Sequence, residues 1–307
     1  MACKRPLFAW QSKFFVPSTG KRKIVFRPPS GRNRKCSWES VQLPCGQCID
    51  CKLEYSRQWA IRCYHESQLH KLNCFITLTF CGGPSPTHPV CDHVVRKDCL
   101  ESLEKREFVL FMKRLRKKVG KVRFFHCGEY GENLGRPHHH ACLFGYDFPD
   151  KVLRQVKNGF QLYTSEVLRE LWPFGFHLIG SVSFESAAYV ARYICKKITG
   201  EFAGGYYDGR IPEYVTMSRR GGIGVDWLDV YGSDVYPHGF VTLLDGVKVK
   251  APKFYDRKYE LTNPEEYEVI RRNRIERAKL SPDNTLERLR EREVVQKAQL
   301  SKLKRSL

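Results

Sequence analysis

No stretch of this 307-residue chain approaches 18 uninterrupted apolar residues, so a membrane-spanning helix is excluded. The opening MACKRPLFAWQSKFFV holds neither an apolar h-region nor a small-residue cleavage site. The expectation is a soluble protein that stays in the compartment where it is made. Acid is missing from residues 1–35, where ten Lys and Arg stand without one Asp or Glu. Wholesale disorder is excluded too, because 42% apolar residues can bury a core. An even cysteine count is also lacking. Thirteen thiols in a long chain without a secretion signal fit reduced cysteines, some of them on a metal, better than a disulfide scaffold.

What is present is positive charge, and it is segregated. The formal net charge is +20. Residues 1–35 carry +10, residues 105–123 carry +8 and residues 271–307 carry +7, so everything else together is slightly acidic. Charge distributed in this way suits a polyanion, most often nucleic acid.

The pattern along the chain predicts an α+β protein. Residues 53–71 lack Gly and Pro and predict a helix. Residues 74–80 alternate Cys74, Ile76, Leu78 and Phe80 against Phe75, Thr77 and Thr79, the period of a strand. Residues 98–119 space Phe108, Phe111 or Met112, Leu115 and Val119 as one helical face. Two strands, 122–129 and 138–144, flank the YGENLGRP turn. A short helix near 165–172, a strand around 176–183 and a helix over 185–198 follow, and charged helices run from about 264, broken at Ser281-Pro282. Four segments result: a basic arm with a cysteine cluster (1–52), a core (53–205), a Gly- and Tyr-rich extension (206–260) and a charged helical tail (261–307).

Two patterns could carry chemistry. In His138-His139-His140 the strand period puts His138 and His140 on one face and His139 on the other. Glu129, on the neighbouring strand, is placed to complete a divalent site with open positions. Such an N/O set suits Mg²⁺ or Mn²⁺ acting on phosphate better than Zn²⁺; a surface histidine run is the plain alternative. Second, Tyr189 and Tyr193 are four apart on a predicted helix and share a face. Arg192 and Lys196 each follow a tyrosine by three positions. A phenol is a weak nucleophile at its ordinary pKa near 10, and adjacent cations would help its phenolate attack a polarised phosphate. Two core tyrosines are the alternative if the pair is taken alone.

FITLTF, RPHHHACLFG and YVARYICKK, in that order, resemble the motifs of the HUH endonucleases that initiate rolling-circle replication. The middle position here is His139 where those enzymes carry a bulky hydrophobe. LPCGQCIDCKLEYSRQWAIRC, FMKRLRKK, SRRGGIGVDW and SDVYPH extend the resemblance to the replication initiation proteins of gokushovirus-type microviruses, over roughly residues 40–260. The resemblance implies an antiparallel sheet flanked by helices, with the histidine strand central and the tyrosine helix across it. It also implies a divalent ion on His138 and His140, and Tyr189 or Tyr193 becoming linked to the 5′ phosphate of nicked origin DNA. Lys196 matches the lysine after the catalytic tyrosine, and Arg192 stands at the equivalent place after Tyr189. The partners implied are the viral origin, single-stranded or supercoiled, and the host replication helicase and polymerase, in the bacterial host cytoplasm.

Cys45-x2-Cys48-x2-Cys51 suits a structural Zn²⁺ that lacks one ligand, and Cys36, Cys63, His65 and Cys3 are the candidates for it. Buried free thiols are the alternative. An iron–sulfur run would continue with x3-Cys-Pro, and this one does not. Cys142 and Cys195 are expected as small core residues. Two rival functions remain at this level: a relaxase or transposase of the same chemistry, and a non-catalytic zinc-finger-type DNA-binding protein.

Overall fold

The computed structural model describes residues 3–18, 21–30, 37–82, 92–95, 101–131, 135–157, 159–197, 203–243 and 246–302. The chain divides into two compact units, one of residues 1–54 with 272–304 and a larger one of residues 55–271.

In the first unit the basic segment folds as a sheet. Strands β1 (Leu7–Val16), β2 (Lys21–Val25) and β3 (Trp38–Leu43) pair antiparallel in the order β2-β1-β3. Some of its charge is neutralised internally. Lys4 is buried with Nζ 3.7 Å from Asp50, Arg22 meets Glu39 at 3.3 Å, and Arg5 meets Glu293 at 2.8 Å. Glu293 lies on the last helix, so the charged tail returns to the start of the chain.

The larger unit is organised by a seven-stranded sheet in which every pairing is antiparallel. In chain order its elements begin with α1 (Ile49–Gln68, which starts in the first unit), β4 (Asn73–Thr79) and α2 (Lys105–Val119). Next come β5 (Arg123–Tyr130), β6 (Pro137–Phe144), β7 (Val152–Lys157) and β8 (Phe160–Thr164). Helix α3 (Glu166–Leu171), β9 (His177–Gly180) and α4 (Phe184–Lys196) follow. After α5 (Ala203–Tyr207), β10 (Tyr214–Met217) closes one edge, giving the order β10-β5-β6-β4-β9-β8-β7. Beyond the sheet lie α6 (Val225–Val235), the hairpin β11 (Phe240–Thr242) and β12 (Lys248–Lys250), and α7 (Lys253–Thr262). Helix α8 (Pro264–Leu280) ends before Ser281-Pro282, and α9 (Leu286–Lys302) follows, as that dipeptide predicts.

The pleat sorts the core into two layers. On one face Cys74, Ile76, Leu78, Ala141 and Leu143 pack on Phe108, Phe111, Met112 and Leu115 of α2 and Leu168 and Leu171 of α3. On the other, Phe125, Cys127, Cys142 and Phe144 pack on Trp59, Ala60 and Cys63 of α1 and Ala187, Val190 and Ala191 of α4. Each large apolar side chain removed from water contributes about 1.5–3 kcal/mol, so α1 and α4 are held where the sheet places them. Helix α2 starts at Lys105 rather than 98, because the Glu104 carboxylate accepts the Arg106 N–H and ends the helix there; residues 96–100 lie outside those described. Gly175 is forced by closeness: a Cβ there would stand 2.2 Å from the Thr79 carbonyl oxygen at the end of β4.

The middle histidine belongs to this packing. His139 is fully buried on the α2 face among Phe80, Phe108 and Trp172, with Nδ1 3.1 Å from Nε2 of His126. His126 in turn meets the Thr216 hydroxyl at 2.8 Å. Burial lowers both pKa values, that of His139 to about 3 and that of His126 well below the ordinary range. Both rings therefore bind a proton less readily folded than unfolded. The stability they confer is complete above the unfolded value near 6.5 and drains away as pH falls below it, by up to about 1.4 kcal/mol per pH unit for each ring. Denaturant midpoints measured between pH 7 and pH 4.5 should fall, and less steeply in His139→Leu; equal slopes would contradict the assignment.

Candidate active site

The other face of β6 presents His138 and His140, with imidazoles parallel within 4° and centroids 6.2 Å apart. Register fixes their surroundings. Glu129 of β5 lies opposite His138, and Cys127 opposite His140. On the other flank Thr77 of β4 lies opposite His140. Glu129 Oε1 is 2.8 Å from His140 Nε2, and Thr77 Oγ1 is 3.0 Å from His140 Nδ1, so both ring nitrogens of His140 are held. His138 donates Nδ1–H to the Arg136 carbonyl at 2.7 Å, which fixes the tautomer with its lone pair on Nε2. Burial, reinforced by the neighbouring His140, lowers the pKa of His138 and keeps it in the neutral, ligating form near pH 7.

Two imidazoles and a carboxylate converging on one sheet face form an N/O donor set. The 2.8 Å between Glu129 and His140 is near the edge, about 3 Å, of an octahedron with 2.1 Å metal–ligand bonds. The residues therefore fit a divalent ion of the Mg²⁺ or Mn²⁺ type, with Glu129, His140 Nε2 and His138 Nε2 as the donors that could hold it.

Helix α4 crosses this face. Tyr189 is half-buried with its ring edge-on to His140 at 5.5 Å and to Phe75 at 6.3 Å. The sheet and α4 thus bring together four residues singled out in the sequence: Glu129, His138, His140 and Tyr189. Tyr193 lies one helical turn further along α4. The side chains of Tyr193, Arg192, Lys196 and Cys195 lie outside the described residues. Cys142 is a fully buried core residue, as expected.

Three participants were not expected from the sequence. Thr77 orients His140, and its position on the less apolar face of FITLTF was the signal for it. The Arg136 carbonyl orients His138, and backbone carbonyls leave no mark in a sequence. Gly131 makes room for the His138 ring, because a Cβ there would stand 2.8 Å from its Cε1.

Away from this face, Cys3, Cys45, Cys48 and Cys51 gather so that their sulfurs all lie within 4.8 Å of one another, a group compatible with structural zinc. Of the four candidates for the missing ligand the structure selects Cys3. Cys63 is buried in the sheet core and His65 stacks on Trp227, while Cys36 lies outside the described residues.

The basic surface of α2 is partly structural. Arg114 donates to the Leu171 carbonyl, Arg116 to that of Val122, and Lys118 meets Glu170 at 2.9 Å. Helix α2 packs on the His139 side of the sheet, across from His138 and His140.

Residues 73–198, the span from β4 through α4, match the family model for the phage replication-associated protein ORF2. Over 238 residues the chain is 34% identical to Replication-associated protein VP4 of Bdellovibrio phage phiMH2K, covering 74% of this chain and 70% of that protein. It is 32% identical over 233 residues to Replication-associated protein ORF2 of Spiroplasma virus 4, covering 71% and 68%. Replication-associated protein ORF4 of Chlamydia phage 1 is 29% identical over 168 residues, covering 52% and 39%. No solved structure matches. The chain belongs to this family of phage replication-associated proteins and is a microvirus-type replication initiator.

The steric role of Gly131 is directly testable. Gly131→Ala should leave the far-ultraviolet circular dichroism unchanged while shifting the His138 ring resonances in NMR spectra. An unshifted ring would show that the close approach is not enforced.

Proposed function

We propose that this initiator nicks origin DNA by tyrosine transesterification on the His138–His140 face of the sheet. The observation that carries the reading is the convergence of Glu129, His138 and His140 beneath the edge-on ring of Tyr189. A Mg²⁺ or Mn²⁺ ion held by these donors would polarise the scissile phosphate and offset its charge. The phenol of Tyr189 or Tyr193 gives up its proton, a bond forms between its oxygen and phosphorus, and the bond from phosphorus to the 3′ oxygen breaks. The 3′ oxygen takes up a proton and is left as a primer, while the 5′ phosphate stays on the tyrosine. No water is consumed, so the ester retains the energy needed to rejoin the strand. Arg192 and Lys196, on the same helix, supply positive charge for the phenolate and the pentacovalent phosphorus.

Several groups act by holding others. Thr77 keeps the His140 ring in plane, and the Arg136 carbonyl keeps the His138 lone pair on Nε2. Trp59, Phe125 and Ala187 form the dry floor that fixes α4 over the sheet. A zinc ion on the thiol quartet would be structural and take no part in this chemistry. The origin is the substrate, and the host helicase and polymerase are the partners that extend the freed 3′ end.

With a labelled single-stranded origin oligonucleotide, His138→Ala and His140→Ala should each abolish Mn²⁺-dependent nicking while DNA retention in gel-shift assays changes little. Undiminished nicking in the double variant would overturn the metal assignment. Tyr189→Phe and Tyr193→Phe should each retain some single cleavage but fail to release repeated unit-length circles, because that step needs a free nucleophile while the other is esterified. Multi-round circle production at the wild-type rate by either single variant would leave a one-tyrosine mechanism.

A further inference from the structure

We propose that Cys3, Cys45, Cys48 and Cys51 bind one Zn²⁺ as a closed tetrathiolate, and that this ion clasps the two ends of the basic three-stranded sheet. The sulfur spacing is the first argument. Cys48 Sγ and Cys3 Sγ are 3.8 Å apart. A regular tetrahedron with Zn–S bonds of 2.3 Å has an edge of about 3.8 Å, whereas a disulfide would need about 2.05 Å. All four sulfurs fall within 4.8 Å of one another, so a single centre can reach every one.

The backbone supplies the second argument. The Cys45 N–H donates to the Cys3 sulfur at 3.3 Å, and the Cys48 N–H donates to the Cys45 sulfur at 3.2 Å. Amide donors aimed at sulfur favour thiolate over thiol, which a merely buried cysteine does not need. The turn that aims the second of them passes through Gly46 at φ +74°, in the left-handed region. Residues Cys48 and Cys51 then sit at the entry and in the first turn of α1, where the N-terminal dipole also favours negative charge.

Charge and chemistry choose the ion. Four thiols lose four protons on binding Zn²⁺, leaving a centre of net charge −2. Lys4 and Arg5, adjacent in sequence to the ligand Cys3, bring positive charge beside it. Four soft sulfur ligands and no open position are the donor set of a structural zinc site.

The position gives the role. Cys3 lies just before β1 and Cys45 just after β3, and the first pair between those strands is Leu7 with Leu43. The ion therefore ties the start of β1 to the exit of β3, closing a separation of 42 residues. A sheet of three short strands has little core of its own: Phe8, Phe14 and Phe26 are each more than half exposed. Zinc affinity here supplies folding free energy that apolar burial in this sheet does not.

The test uses the full chain. Protein purified without chelator should contain one zinc per chain by mass spectrometry of its metals, and alkylation should spare Cys3, Cys45, Cys48 and Cys51 until a strong chelator is added. Chelation should also open residues 3–54 to protease before residues 55–271. Cys3→Ser should lose bound zinc. Because that variant could misfold, a second measurement is made on the wild type: metal-free protein titrated with Co²⁺ should reach the absorption of a tetrahedral thiolate complex at one equivalent. Absence of zinc, iron in its place, alkylation indifferent to chelator, full zinc retention by Cys3→Ser, or a cobalt spectrum without sulfur charge transfer would each overturn the proposal. None of these readouts involves nicking, so the zinc site stands or falls apart from the active-site reading.

Discussion

The two-residue repeat of one strand is the constraint on which the larger unit depends. Because β6 is interior, flanked by β5 and β4, its side chains must divide between two covered faces. His139 goes to the α2 side and becomes part of an aromatic core, while His138 and His140 go to the α4 side and meet Glu129 and Thr77. A slip of one residue in register would exchange these roles, burying the ligating pair among phenylalanines. Pairing on both flanks, with Ile76 opposite Ala141 and Phe125 opposite Cys142, prevents it.

The cationic character of the chain serves two ends. Part of it is structural: Arg62 lies between the rings of Trp59 and Phe254 and donates to the Ile223 carbonyl, and Arg123 pairs with the fully buried Glu66. Glu66 also accepts the Gly224 N–H, so one carboxylate ties α1 to β5 and to the turn before α6. The arginines of SRRGGIGVDW and FMKRLRKK are therefore not simply a surface charge count. What remains exposed, such as Lys113 and Lys117 on α2 and Lys23 on β2, is the charge available to a polyanion.

Much of this was legible in the sequence because it rests on period and spacing. The alternation of 74–80, the two strands around YGENLGRP and the helix of Tyr189 all follow from apolar residues that recur at 2 or 3.6 positions, and each is found. The pairing of Glu129 with the histidine face followed from the hairpin. The sheet within residues 7–43 did not show itself, since LFAWQSKFFV carries aromatic residues on both faces and alternates poorly. The hairpin β7–β8 was equally obscure, with every residue of β7 exposed and so no buried face to create a pattern. The choice of Cys3 as fourth thiol and the return of α9 to Arg5 join residues far apart in the chain, and only tertiary structure reveals such meetings.

The central claim is that a tyrosine of α4 becomes covalently joined to DNA. It is tested most directly by incubating the protein with Mn²⁺ and a single-stranded origin oligonucleotide, digesting with trypsin and nuclease, and sequencing the nucleotide-bearing peptide by mass spectrometry. The account predicts a 5′-phosphodiester on Tyr189 or Tyr193. A nicked oligonucleotide with no nucleotide on any peptide, or an adduct on a residue outside α4, would contradict it.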